Sequence, residues 1–165
     1  MRTLKRRRKE RKTDYLNRLK LLKSEKPRMV FRKTNKYIIS QYVESESAQD
    51  KIIFGVTSKS LLNHGWPKNL VGSLKSIPAS YLVGYLSGKK ILKEKLEKPI
   101  VDLGMHRVIK KTKIFAFIKG LIDSGIEISC SEENFPEEER ILGKSTKGDV
   151  SKKIMEVKSS IDKIK

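Results

Sequence analysis

Arg28-Met29-Val30-Phe31-Arg32-Lys33-Thr34, then Asn35-Lys36, then Tyr37-Ile38-Ile39-Ser40-Gln41-Tyr42-Val43 is the stretch whose reading decides the fold. Two runs rich in β-branched and aromatic residues flank an Asn that tolerates left-handed backbone, so the spacing predicts a tight antiparallel hairpin. Side chains alternate across a strand. Arg28, Val30 and Arg32 therefore share one side, and Met29, Phe31 and Lys33 share the other. That imperfect alternation predicts one face on a core and one face meeting something besides water. Residues 51–57, Lys-Ile-Ile-Phe-Gly-Val-Thr, add a third strand after a polar loop over residues 44–50, which makes a meander.

The ground around this hairpin is strongly basic. Residues 1–36 hold 16 Lys and Arg against Glu10, Asp14 and Glu25, a net of +13 out of the chain's formal +19. Basicity so concentrated is an electrostatic footprint for a polyanion. Residues 1–12 have dense like charge and no apolar periodicity; alone such a run extends by self-repulsion. It reads either as a solvated tail or as an arm that orders against phosphates and releases counterions. Thr13 or Asp14 can cap a following helix. There Tyr15, Leu19 and Leu22, with Leu16 beside them, form a stripe that reads as ordinary core. Arg18, Lys20 and Lys23 decorate its other faces, and Pro27 ends it.

The bulk numbers set bounds on the rest. At 165 residues, one domain with tails is expected. Charged residues make up 35%, above the usual ~25%, and the pI is near 10.0. Nucleic acid is the first partner such a balance suggests, an anionic membrane surface the second. One cysteine, Cys130, can form no intramolecular disulfide, which suits a reducing compartment. No run approaches the ~20 apolar residues of a membrane span. The charged N-terminus has no apolar segment behind it, so a cytosolic chain is expected.

Downstream, a short helix near residues 58–63 and an irregular loop are expected. Ser76 then caps a long helix with Pro78 in its first turn. Gly84 and Gly88, one turn apart in it, predict close approach by another backbone, either the sheet or RNA. Residues 99–104 read as a short strand buried on both faces. Thr112 opens a helix whose broad apolar face includes Ile114, Phe115, Phe117, Ile118, Leu121 and Ile122; Gly125 closes it. Residues 126–129 read as a last strand, and residues 131–149 as an extended surface segment. Val150, Ile154, Val157, Ile161 and Ile164 then repeat at helical spacing. That amphipathic helix either docks back on the domain or binds a partner. The fold class read from this order is α/β: a small mixed sheet, an antiparallel meander plus later strands, covered by helices. Three segments follow: a basic arm over residues 1–12, an α/β RNA-binding domain over 13–130, and a surface segment with its helix over 131–165.

Catalytic constellations are thin. His64 and His106 have no partner at metal-ligand spacing, and Cys130 lacks a CxxC companion. Gly143-Lys144-Ser145-Thr146 resembles the end of a phosphate-binding loop, but the first glycine that loop needs is Glu138. A metal-dependent nuclease needs converging carboxylates, and Asp102, Asp123 and Asp50 do not make a set. Asp102 is expected to bond neighbouring backbone amides or an RNA-facing loop instead. No enzyme, metal or cofactor is expected.

The residues also carry a resemblance. Arg6-Arg7-Arg8, Thr13-Asp14-Tyr15, Lys26-Pro27-Arg28 and Arg32-Lys33-Thr34-Asn35-Lys36 resemble the N-terminal signature of the archaeal and eukaryotic large-subunit ribosomal proteins that bind 5S ribosomal RNA. This is the family of bacterial large-subunit protein eighteen. His64-Gly65-Trp66, the helix beginning Ile77-Pro78-Ala79-Ser80-Tyr81-Leu82, Asp102-Leu103-Gly104, Lys119-Gly120 with Asp123-Ser124-Gly125, and Phe135-Pro136 through Gly143 follow in the family's order. One departure stands out: the family's Gly-Asn before Ile77-Pro78 is Lys75-Ser76 here. The resemblance implies a translational-machinery α/β fold seated on 5S ribosomal RNA in the central protuberance. It also implies contact with large-subunit ribosomal RNA and a neighbouring 5S-binding ribosomal protein.

The residues expected to meet RNA are Arg6, Arg7, Arg8, Lys9, Arg11, Lys12, Tyr15, Arg18, Arg28, Arg32, Lys33, Thr34, Asn35, Lys36 and Tyr37. The cations would neutralise phosphates, with Arg28 and Arg32 forking onto phosphate oxygens. Tyr15 and Tyr37 would stack on unpaired bases or stand half-buried as structure. The competing reading is an RNA-processing or DNA-binding factor that uses the same arm outside the ribosome. A membrane-surface protein ranks last, since the C-terminal helix lacks Trp or Phe anchors.

Overall fold

The computed structural model describes residues 3–47, 49–144 and 151–163. Four strands form one mixed sheet in the order β3-β2-β1-β4. β1 (Arg28–Lys33) runs antiparallel to β2 (Ile38–Glu46) and parallel to β4 (Ile100–Asp102), while β3 (Gln49–Thr57) pairs antiparallel with β2. The meander forms as its sequence predicts, with two differences in its turns. Asn35 is not among the residues with positive φ. Thr34 closes the hairpin instead: its hydroxyl donates to the Tyr37 carbonyl at 2.8 Å and accepts from the Tyr37 N–H at 2.9 Å. The polar loop expected over residues 44–50 is mostly ladder. β2 runs on to Glu46 and β3 starts at Gln49, because strand ends at a sheet edge tolerate polar side chains on both faces.

Helices cover one face of this sheet. α3 (Ile77–Lys93) starts where Ser76 Oγ accepts from the Ala79 N–H at 3.3 Å, with Pro78 in the first turn. Because it lies between the sheet and further helices, α3 buries residues on all sides, from Pro78 to Gly88 without interruption. α4 (Lys113–Asp123) packs against it, and Gly125 ends α4 in left-handed backbone, φ +110°. The glycines explain the closeness. A Cβ on Gly84 would lie 2.2 Å from the Phe117 carbonyl oxygen, and one on Gly120 equally close to that of Tyr81. The neighbour that Gly84 admits is therefore helix α4 and not the sheet. Gly88 faces the Ser124 side chain at the end of the same helix.

Met29 and Phe31 point from β1 into the core, where Phe31 meets Phe117 of α4 with ring centroids 5.0 Å apart. Tyr42 stacks on Phe54 across β2 and β3 at 5.6 Å. Burial pushes the Tyr42 phenol up to about 12, with Glu44 and Glu97 adding to it. Ser40 and Ser87 carry hydroxyls in this apolar layer. They satisfy each other at 3.0 Å, and Ser87 also donates to the Val83 carbonyl.

Several expectations change at the periphery. β4 is a three-residue edge strand with Ile100 and Val101 only half-buried, so it is not covered on both faces. Residues 126–129 form no strand. Ile126 is buried and Ile128 packs on the core, but neither pairs with the sheet. A four-residue alternation cannot separate a strand from an extended loop lying on apolar surface. After the 3-10 turn Ser58–His64, the expected irregular loop contains a second one, Lys68–Ser73. The surface segment holds a 3-10 turn, Glu132–Asn134, and a helical turn, α5 (Glu138–Ile141), whose Ile141 is buried. The last helix, α6 (Ser151–Asp162), docks back: Ile154, Val157 and Ile161 join the main core. The C-terminal helix reading also used Val150 and Ile164, which lie outside the described residues.

Two further elements precede the sheet. α1 (Arg6–Lys9) is one helical turn inside a run expected to be extended; Glu10, four residues on, pairs with Arg6 at 3.8 Å. α2 (Tyr15–Lys23) is capped by Asp14, which accepts from the Leu16 and Asn17 N–H groups. The stripe on α2 is not core. The helix buries no residue, and Leu16 and Leu19 are 66% and 52% exposed. Apolar spacing predicted the helix correctly, but spacing alone does not say that a surface exists to cover the stripe. No helix among the described residues is long and apolar enough to cross a membrane.

Candidate nucleic-acid interface

The sheet face opposite α3 and α4 carries the even side chains of β1, and it is built from charge. Arg28 is 2% exposed. Its guanidinium donates to Asp102 Oδ2 at 3.2 Å, to Asp50 Oδ1 at 2.6 Å and to Ser45 Oγ at 2.8 Å. Asp102 sits at the end of β4, and Asp50 and Ser45 face each other across the β2–β3 ladder. Arg28 therefore ties β1 to both of its flanks. This corrects the expectation that Arg28 forks onto a phosphate. Both terminal nitrogens are taken by Asp102, Asp50 and Ser45, and the remaining Nε–H has no partner among the described residues but is buried out of reach of a phosphate.

Arg32 stands two residues further along the same face. It donates to the Phe31 and Asp102 carbonyls at 2.7 and 3.1 Å and to Asp102 Oδ2 at 3.4 Å, yet its side chain keeps 40% exposure. Asp102 completes its shell by accepting from the Gly104 N–H at 2.7 Å, as expected of a carboxylate bonding a neighbouring amide. Gly104 has φ +58°, and a Cβ there would lie 2.9 Å from the Arg32 guanidinium. The left-handed backbone favours a glycine at this bend, and a side chain there would push the Arg32 guanidinium aside.

The arm is fastened to this face. Arg18 of α2 donates to Asp50 Oδ2 at 2.9 Å, so Asp50 joins Arg18 and Arg28 through its two oxygens. Burial raises the Asp50 carboxyl, but the Ser45 hydroxyl, Arg18 and Arg28 outweigh it and hold the group below its ordinary value. Arg7 Nε donates to Thr13 Oγ1 at 2.9 Å, Arg8 pairs with Asp14 at 3.4 Å, and Arg8 also donates to Met105 Sδ at 3.1 Å. Lys12 pairs with Glu10 at 2.8 Å. Lys9 and Arg11 are exposed and, among the described residues, form no ion pair.

The remaining expected residues divide in two. Lys33, Thr34, Asn35 and Lys36 form the exposed tip of the hairpin. Tyr15 is exposed on α2 with the Lys5 ammonium 4.5 Å above its ring, whereas Tyr37 is half-buried and packs on the core. The structure thus brings the arm, α2 and Arg32 together on the open face and places the hairpin tip at its end. Sequence reasoning missed Asp50 as the joint. Its one signal was an acid in a polar stretch beside an otherwise basic region, which by itself fixes no partner.

Among the described residues no three His, Cys, Asp or Glu side chains gather as a metal site requires. A small α/β core with a cationic arm clamped across its open face belongs to the class of basic scaffold proteins built around a polyanion. Comparison with known proteins gives the family. Residues 1–99 match the family described as ribosomal large subunit proteins 60S L5 and 50S L18, and the chain belongs to it. Relatives include the large ribosomal subunit protein uL18 of Korarchaeum cryptofilum, 44% identical over 84% of this chain and 69% of the relative. Those of Aeropyrum pernix and Methanoregula boonei are 39% and 36% identical, over 82% and 96% of this chain and 62% and 92% of theirs. The chain is accordingly of the archaeal and eukaryotic large-subunit type, a structural protein of the ribosome in the cytoplasm.

Proposed function

We propose that this chain binds 5S ribosomal RNA and helps attach it to the large-subunit ribosomal RNA in the central protuberance, next to a second 5S-binding ribosomal protein. The observation that supports this most is the placement of charge. Residues 1–36 carry a net of +13, and the structure collects the arm, α2 and Arg32 on one open sheet face. The contact set is Arg6, Arg7, Arg8, Lys9, Arg11, Lys12, Tyr15, Arg18, Arg32, Lys33, Thr34, Asn35, Lys36 and Tyr37. Arg28 is the strut beneath them. RNA is recognised through backbone, loops and 2′-hydroxyls, and this face offers cations and a polar turn to all three.

A salt-titrated binding assay tests the proposal, with 5S ribosomal RNA against transfer RNA and duplex DNA of matched length. If about 6–10 phosphates are contacted, affinity falls by roughly 10³–10⁵ between 50 and 200 mM salt. Removing residues 1–12 is expected to weaken binding and flatten that slope while the preference for 5S RNA survives. Equal affinity for all three ligands would reduce the protein to a generic polycation and overturn the reading.

A further inference from the structure

The helix-covered side of the sheet ends in a cleft of about 330 Å³ that the arm does not touch. It is lined by Phe31, Ile77 and Ile114 at its base and by cations at its rim. Lys33 comes from the end of β1, Arg107 and Lys111 from the loop after β4, Lys113 from the first turn of α4 and Arg140 from α5. No carboxylate lines it. Among the described residues Lys33, Arg107, Lys113 and Arg140 form no ion pair; Lys111 alone does, with Glu137 at 3.1 Å. Like charges gathered from four elements repel one another, and Lys113 feels it: burial and the neighbouring Lys33 and Lys75 push its ammonium below the ordinary lysine value. His106 stands in the wall with Nε2 accepting the Lys33 N–H at 3.1 Å and its ring edge-on to Phe31.

We infer that this cleft is a second phosphate site, on the opposite side of β1 from the arm, and that it holds backbone phosphates of the RNA. The inference rests on the RNA-binding reading above and extends it to residues outside the arm. Lys33 lies in both the hairpin tip and the cleft rim, so one RNA backbone can pass from the open face around the end of β1 into the cleft. Two guanidinium forks, Arg107 and Arg140, match phosphate oxygens in pairs, and the ammonium groups supply point charge between them. An acidic peptide would satisfy the same cations. RNA is favoured because the cleft is continuous with the hairpin tip and because the chain is a ribosomal protein.

The test uses the full chain and a triple variant, Arg107→Gln, Lys113→Gln and Arg140→Gln, whose folding is checked by its melting curve. Inorganic tripolyphosphate is titrated while proton–nitrogen NMR follows the Lys33 and Lys113 amides and the His106 ring. Saturable shifts at these positions, lost in the triple variant, are the expected result. Their absence would overturn the site whatever RNA does. With 5S ribosomal RNA the triple variant should bind more weakly, and the slope of log affinity against log salt should be shallower by about 1–3, roughly one per phosphate released. An unchanged slope in the triple variant, beside a reduced one in the protein lacking residues 1–12, would refute the cleft and leave the arm's role standing. A response to a poly-glutamate peptide with no change in RNA slope would likewise overturn the RNA assignment in favour of a protein partner.

Discussion

Asp102 shows how one side chain serves both architecture and surface. It holds the buried Arg28, orients the half-exposed Arg32 and accepts the Gly104 amide, all within 3.4 Å. Replacing it by Ala leaves Arg28 buried beside an empty position, with Asp50 as its remaining carboxylate. Removing one partner of a buried pair costs about 3–5 kcal/mol. A loss of about 3 kcal/mol is expected for Asp102→Ala by chemical denaturation, since Asp50 still compensates part of the charge. A loss under 1 kcal/mol would mean that the Arg28 network carries little stability. At this scale the sequence was half legible. The alternation of β1 placed Arg28 and Arg32 on one side correctly, but it could not tell the buried arginine from the accessible one. That difference is made by Asp50 and Asp102, which are 22 and 74 residues away from Arg28. Ser76 is a similar case. It departs from the family's Asn, and the structure gives it a cap to form.

Between elements, the α3–α4 contact is a close approach that glycine explains. Gly84 of α3 and Gly120 of α4 each meet a carbonyl of the other helix, so the two backbones interlock. Gly84→Ala adds a methyl where a carbonyl oxygen stands 2.2 Å away. The helices must part, and Phe117 with them. Overpacking of this kind costs about 1–3 kcal/mol, against a helix-propensity gain of roughly 1 kcal/mol for Ala over Gly. A net destabilisation of up to about 2 kcal/mol by thermal melting is expected, whereas Gly72→Ala, with open space around its position, should show no such loss. The glycine spacing was readable in the sequence as a sign of close approach. Which neighbour approached was not, because sheet and helix make the same demand on a glycine. The strands and the long helices were legible from their periodicity and caps. Residues 126–129 and the stripe on α2 were not, because their pattern is satisfied equally by a surface that exists and by one that does not.

For the whole molecule the decisive quantity is the net charge of +19. A compact chain with so much like charge repels itself, and salt screens that repulsion within about 10 Å at 0.1 M. Added salt is therefore expected to raise the melting temperature of the free protein while it weakens RNA binding. A melting temperature that falls as sodium chloride rises from 50 to 300 mM would show that the ion pairs around Asp50 and Asp102 outweigh the repulsion. The apolar side of the sheet is covered by α3 and α4, with α6 packed on α3, and the opposite side carries the arm.

α2 is nine residues long and buries none of them. Isolated helices shorter than ~12–15 residues are marginal in water, so this one leans in the free chain on its Asp14 cap, the Arg18–Asp50 tie and the Lys5–Tyr15 contact. A denaturation curve of the isolated protein then measures the sheet with α3, α4 and α6, and reports almost nothing about α2. If α2 meets RNA as proposed, its durability is set by that contact, and amide exchange in the bound protein, not the melt of the free chain, is the measurement that reads it.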